Sequence, residues 1–170
     1  MFRDPPGGLP LSNPWMLLAT WGGVGLVRYA PGTVGSLVAV PFAMALLYWG
    51  GPWLLAAATV AVALSGTRAA SIIEQQSGES DPGPVVVDEV AGQWLAYAVI
   101  AFTITPPGPI AWLAGFAAFR FFDIVKPWPC GWIDRRVKGG AGIMADDLVA
   151  GGYAAILVVA GLALSSGITG

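Results

Sequence analysis

Charged side chains leave three long stretches of this chain untouched: residues 29–67, 90–119 and 148–170. Charged residues make up 11% of the 170 positions and hydrophobic residues 56%, whereas soluble domains carry about 25% charge. Mean hydropathy is +0.70. So little charge does not suit an ordinary water-facing globule, and folding in a bilayer is expected. A spanning helix takes roughly 20 apolar residues, within a range of about 17 to 25. The first two stretches are too long for one such helix. Each is interrupted near its middle by a turn-forming cluster, Gly50-Gly51-Pro52 and Pro106-Pro107-Gly108-Pro109. The pattern predicts two helical hairpins, 36–49 with 53–69 and 88–105 with 110–125, followed by a last helix over 146–165.

The fold class expected is therefore all-α. It is a polytopic membrane bundle of four to five spanning helices with short re-entrant or interfacial pieces, residues 1–170 making one membrane-embedded domain. An earlier apolar piece, Pro14 to Val27, is short and glycine-rich. It is readable as a spanning helix, a re-entrant segment or a surface helix.

Each hairpin returns the chain to the side it left, so residues 28–36, 68–89 and 120–147 share one face of the membrane. Seven of the eight Lys and Arg residues lie there, and the positive-inside rule assigns that face to the cytoplasm. The far turns carry no charge. No internal repeat or heptad run is present, so neither a solenoid nor a coiled coil is expected.

Composition also removes whole classes of chemistry. Eight basic against ten acidic residues, net −2, leave no basic surface to neutralise a run of phosphates, which excludes nucleic acid as a partner. His is absent, and with it imidazole as base, nucleophile or metal ligand. Cys130 is the single cysteine, so neither an internal disulfide nor a thiolate zinc cluster is available. The first fourteen residues have no basic segment leading into an apolar core and an A-x-A site, and no cleavable signal is expected.

Carboxylates at the ends of apolar helices are costly to desolvate and persist when paired, ligated or facing water. Three clusters on the shared face have this placement, and a fourth, uncharged segment lies beside them. Asp81-Pro-Gly-Pro leads through three valines to Asp88-Glu89 at a helix start, where the plainer role is to offset the helix dipole. Arg120, Asp123 and Lys126 recur every third residue along one helix face before Pro127, which is also the pattern of a surface ion-pair series. Lys138-Gly139-Gly140-Ala141-Gly142 delivers Asp146-Asp147 to the last helix, either as a loop that lets backbone approach a phosphate or as a plain connector. Pro31-Gly32-Thr33-Val34-Gly35-Ser36 is a phosphate cradle or a turn with a Ser cap.

Taken together, Asp88, Glu89, Asp123, Asp146 and Asp147 describe an all-oxygen site, which suits a hard divalent ion such as Mg²⁺. Arg120, Lys126 and Lys138 would meet anionic oxygens of a substrate. Phosphoryl chemistry on a lipid is the reading these residues favour. Cys130 to Arg136 has the C-x5-R spacing of cysteine-dependent phosphatases. Trp, Ile and an acid inside it suit a phosphate cradle poorly.

The chain resembles the phosphatidylglycerophosphatase A family of bacterial membrane enzymes. The resemblance runs from Ser12-Asn13-Pro14-Trp15 and Leu17-Leu18-Ala19 through Pro31-Gly32-Thr33, Gly35-Ser36, Asp88-Glu89, Gly92, Phe119-Arg120 and Asp123. It continues with Lys126-Pro127-Trp128-Pro129, Trp132, Asp134-Arg135, Gly139-Gly140, Gly142-Ile143-Met144, Asp146-Asp147 and Ala150-Gly151. Cys130 departs from it, an aliphatic residue being usual there. The resemblance implies Mg²⁺-dependent removal of the terminal phosphate of phosphatidylglycerophosphate, giving phosphatidylglycerol. It also implies a multi-pass protein of the inner membrane, with its site facing the cytoplasm.

The expected site therefore has Asp88, Glu89, Asp123, Asp146 and Asp147 holding one or two metal ions, at least one of them left to orient or deprotonate water, with Lys126 acting beside them. The sequence leaves direct water attack and a covalent aspartyl intermediate both open. Arg120, Lys138, Asn13, Thr33, Gly35 and Ser36 would hold the headgroup. Trp128 and Trp132 are expected at headgroup depth. Two other readings stay open: a small divalent-cation transporter, which would hold its acids near the bilayer midplane, and a noncatalytic membrane scaffold. The sequence leaves the oligomeric state open.

Overall fold

The computed structural model describes residues 2–104 and 106–168. The described residues form six helices: α1 (Pro14–Ala19), α2 (Pro31–Ser77), α3 (Val87–Thr103), α4 (Pro109–Val125), α5 (Cys130–Arg136) and α6 (Gly140–Ile168). Short 3₁₀ turns occupy Pro6–Gly8 and Val24–Leu26. Among the described residues there is no strand, only an isolated bridge between Phe2 and Val27.

α2 is the first expected hairpin. Its 47 residues would run about 70 Å if straight, at 1.5 Å per residue, yet Pro31 and Glu74 line the same cavity. The chain reverses at Gly51, whose φ of 66° and ψ of −165° leave the helical region. Both arms outrun expectation. The first begins at Pro31, whose ring presets a helical φ. The second passes Arg68 and stops at Gly78, which has φ 71° and donates its N–H to the Glu74 carbonyl. Charge does not end a helix, and a left-handed glycine cap does.

The Pro14–Val27 piece is too short to span: α1 has six residues, about 9 Å of helix. Asn13 caps it, its Oδ1 accepting from the Trp15 and Met16 N–H groups at 2.9 and 3.3 Å. Met16 and Ala19 bury against Ala69, Ala70 and Ile73 of α2. α3 and α4 fall close to expectation, although the expected end at residue 105 lies outside the described residues. α6 starts at Gly140, six residues before the expected start. The glycine-rich run is its first turns, not a loop, and the Gly140 N–H donates to Ser71 Oγ at 3.1 Å.

α3 is the central helix, packing on α2, α4 and α6. Its two large polar aromatics find partners inside the bundle: Trp94 Nε1 donates to the Ala39 carbonyl at 2.9 Å and the Tyr97 hydroxyl to the Trp112 carbonyl at 2.9 Å. The outside is apolar. Leu37, Val60, Leu64, Leu113, Ile156 and Leu164 are all exposed. Only 22% of the most apolar window of α2 and 28% of that of α6 is buried, so these helices turn hydrophobic faces outward. Both are long and apolar enough to cross a membrane.

Candidate active site

The ends of α2, the start of α3, the end of α4 and the start of α6 converge on one cavity of about 550 Å³, within the range of about 300–1,000 Å³ usual for small-molecule sites. Eleven of its 23 lining residues are charged: eight carboxylates and the three cations Arg120, Lys126 and Lys138.

The acids meet because α3 and α6 cross on glycine. A Cβ at Gly151 would stand 2.2 Å from the Gly92 carbonyl oxygen, and one at Gly92 would stand 2.5 Å from the Asp147 carbonyl oxygen. Small residues allow this backbone approach. Gly92 lies four residues after Asp88, and Gly151 four after Asp147, so each glycine sits one turn beyond its acid. The crossing therefore presses the two acid-bearing turns together. Asp88, Glu89 and Asp147 each offer a carboxylate oxygen within 4.8 Å of the others.

Buried oxygens of all three, Asp88 Oδ1, Glu89 Oε2 and Asp147 Oδ2, have no hydrogen-bond partner. Buried carboxylates in such a state are costly unless a cation joins them. Three oxygen ligands, no nitrogen or sulfur donor, and eight acids around the cavity fit a hard divalent ion. An anionic substrate entering without such an ion would meet net repulsion.

Five of the remaining charges, Arg120, Asp123, Lys126, Asp134 and Asp146, are engaged with one another. Arg120 pairs with Asp123, and its fork donates to Ser36 Oγ at 3.3 Å and Thr33 Oγ1 at 3.2 Å. It thus ties the end of α4 to the start of α2, with Nε left buried and unpartnered. Lys126 caps α4 in the left-handed region and donates to Asp134 at 2.5 Å and Asp146 at 2.6 Å. Burial alone would lower the Lys126 pKa, but the bonds to Asp134 and Asp146 outweigh it and raise it.

Of the expected site residues, Asp88, Glu89, Asp123, Lys126, Asp146, Asp147, Thr33, Arg120 and Lys138 line the cavity. Three do not. Asn13 spends its side-chain oxygen as the α1 cap. Gly35 packs against Val86, where a Cβ would stand 2.9 Å from Val86 Cβ. Ser36 is buried inside α2, donates to the Gly32 carbonyl at 2.9 Å and serves by holding Arg120. The expected five-acid set also divides. Asp123 and Asp146 are held by cations, and Asp88, Glu89 and Asp147 form the close group. Glu74, Asp81 and Asp134, absent from the expected site, line the cavity too.

The C-x5-R stretch is helix α5, not a phosphate-ringing loop, and Cys130 is 1% exposed. Burial pushes its thiol pKa up, away from the thiolate a nucleophile needs.

The family model of phosphatidylglycerophosphatase A matches residues 17–162. The chain belongs to the phosphatidylglycerophosphatase A family. It is 41% identical over 145 residues to phosphatidylglycerophosphatase A of Escherichia coli, covering 84% of this chain and 80% of that protein. With the Haemophilus influenzae protein of the same name it shares 38% over 159 residues, covering 93% and 94%. A Bacteroides thetaiotaomicron relative, 39% identical over 152 residues and covering 84% and 90%, is provisionally named a phosphatidylinositol-3-phosphatase. A search of the solved structures found no match. As a member of this family the chain is an enzyme, a phosphoric monoester hydrolase, and the cavity is its candidate active site.

Proposed function

We propose that this phosphatase hydrolyses phosphatidylglycerophosphate to phosphatidylglycerol and phosphate, with Mg²⁺, at the cytoplasmic face of the bacterial inner membrane. The observation that carries the reading is the close group of Asp88, Glu89 and Asp147 with three buried unpartnered oxygens. Its name-giving substrate comes from the Escherichia coli and Haemophilus influenzae relatives.

Five segments cross the bilayer in this reading: the two arms of α2, then α3, α4 and α6. α3 and α4 have 17 residues each, at the short end of the spanning range. Tyr48, Trp49 and Trp53 are exposed around the far turn, and Trp128 and Trp132 at the cavity end, as expected of two interfacial belts. α1 and α5 lie at the interface on the cavity side.

Asp88, Glu89 and Asp147 would hold the ion. When bound, Mg²⁺ supplies Lewis-acid polarisation of the phosphoryl group and lowers the pKa of coordinated water. Arg120, pre-set by Thr33, Ser36 and Asp123, directs its fork at nonbridging oxygens, where charge develops in the transition state. Asp123, on the same wall, orients the attacking water and takes its proton. Lys138, exposed at the rim, attracts the headgroup. Lys126 offsets part of the negative charge of Asp146 and Asp134, so the wall beside the ion repels the phosphate less.

The test is phosphate release by purified protein in detergent–lipid micelles, with phosphatidylglycerophosphate or phosphatidylinositol-3-phosphate, with and without EDTA. Release from the first lipid, abolished by EDTA and restored by Mg²⁺, is expected. EDTA-insensitive release removes the metal, and preference for the second lipid corrects the substrate. Release from neither removes both lipids as substrates and moves the reading to another phosphate monoester.

A further inference from the structure

The cavity is too charged to shelter acyl chains, with eleven charged residues among its 23, so a lipid substrate needs a lateral way out for its tails. One lining residue marks such an opening. Ile124 lies on the cavity wall and is nevertheless 68% exposed. On α4 it belongs to a stripe with Phe121 and Val125, both exposed, at the i, i+3 and i+4 spacing of one helix face. Arg120 and Asp123, the charged residues of the same turn, line the cavity and pair with each other, and Arg120 also bonds to α2. The last turns of α4 thus carry headgroup chemistry on one side and an outward apolar stripe on the other, with Ile124 where they meet.

The opposite jaw is the start of α2. Ala30 and Pro31 line the cavity, and the Arg120 bonds to Thr33 and Ser36 fix this turn beside α4. Leu37, one turn further along α2, is exposed. Apolar surface therefore continues from the cavity mouth along both helices.

We infer that the gap between Ala30-Pro31 and Ile124 is the acyl portal, and that the Phe121–Ile124–Val125 stripe holds the glycerol-proximal part of the substrate's acyl chains. The inference rests on the lipid-phosphatase reading above and adds the residues that select a lipid over a soluble phosphate ester. The occupant is the diacylglycerol part of the substrate.

The experiment compares kcat/KM for a long-chain phosphatidylglycerophosphate in mixed micelles with that for a short-chain, water-soluble analogue of the same headgroup. Wild type, Ile124→Trp, Ile124→Ala and the control Leu157→Trp are assayed. Leu157 is exposed on α6, away from the cavity wall. The long-chain to short-chain ratio is expected to fall at least tenfold in Ile124→Trp, mainly through KM, and to fall less in Ile124→Ala. In Leu157→Trp it should stay within twofold of wild type. A wild-type ratio in Ile124→Trp, or an equal fall in Leu157→Trp, overturns the portal. Should Ile124→Trp not fold, a photoactivatable acyl-chain probe on wild type decides: labelling of 121–125 is expected, and labelling elsewhere overturns it. Absence of phosphate release from both substrates by wild type refutes the lipid-phosphatase reading instead, a result distinct from either portal outcome.

Discussion

The Glu89 carboxylate occupies the space that a side chain at position 32 would fill: a Cβ on Gly32 would stand 1.9 Å from Glu89 Oε1. Gly32 is the second residue of α2, so the acid rests against a helix N-terminus, where negative charge is stabilised.

Gly32→Ala separates positioning from folding at this contact. Alanine favours helix over glycine by about 1 kcal/mol, so the helix itself does not suffer, but Glu89 must leave its place. Turnover is expected to fall tenfold or more while Tm changes by only a few degrees. Unchanged turnover would mean that Glu89 is not needed where it stands.

Gly151→Ala tests the α3–α6 crossing in the opposite way. Its Cβ would collide with backbone, not with a movable side chain, so both properties should drop. Overpacking of this kind costs about 1–3 kcal/mol, and the spread of Asp88 from Asp147 should lower kcat. Thermal unfolding and kinetics on one preparation check both.

Arg120→Lys keeps the charge and removes the planar fork that reaches Thr33, Ser36 and Asp123 together. A loss of about 10²–10³ in kcat is expected, in the range found when a transition-state donor is removed. Thr33→Ala, which removes one of the groups aiming the fork, should lose less.

Lys126→Ala leaves Asp134 and Asp146 uncompensated, and the harm is expected to shrink when Asp146→Asn is added, because the second change removes one of the stranded charges. The folded pKa of Lys126 is raised, so its stabilising contribution is fully present below the unfolded value of about 10.4. It is lost only as pH rises through the folded one. No alkaline loss of stability from this residue is expected below about pH 10, measurable as a flat Tm between pH 7 and 9.

Much of this architecture is legible in the residues. The two glycine–proline clusters mark the hairpin turns because they break helices whatever surrounds them, and α2 indeed reverses at Gly51. The charged connectors reach one cavity because each hairpin must bring its ends together. Less legible were features set by neighbours. The run from Gly139 to Gly142 looks flexible until α2 is beside it, its backbone close against Gly140 and its Ser71 hydroxyl accepting from the Gly140 N–H at the first residue of α6. Asn13, expected to hold the headgroup, is instead the cap of α1, as its bonds to Trp15 and Met16 show. Asp134 looked like an intruder in a C-x5-R loop, and its partnership with Lys126 exists only once α5 packs on α6 beside the cap of α4.

Direct metal binding asks whether three carboxylates share one hard cation. Titrating Mn²⁺ or Mg²⁺ into purified protein should give saturable binding in the wild type. Asp147→Asn, which removes a ligand from the group of Asp88, Glu89 and Asp147, should weaken binding at least tenfold and abolish phosphate release in parallel. Equal metal affinity in the two proteins, or full turnover by the variant, would contradict a shared ion at this crossing of α3 and α6.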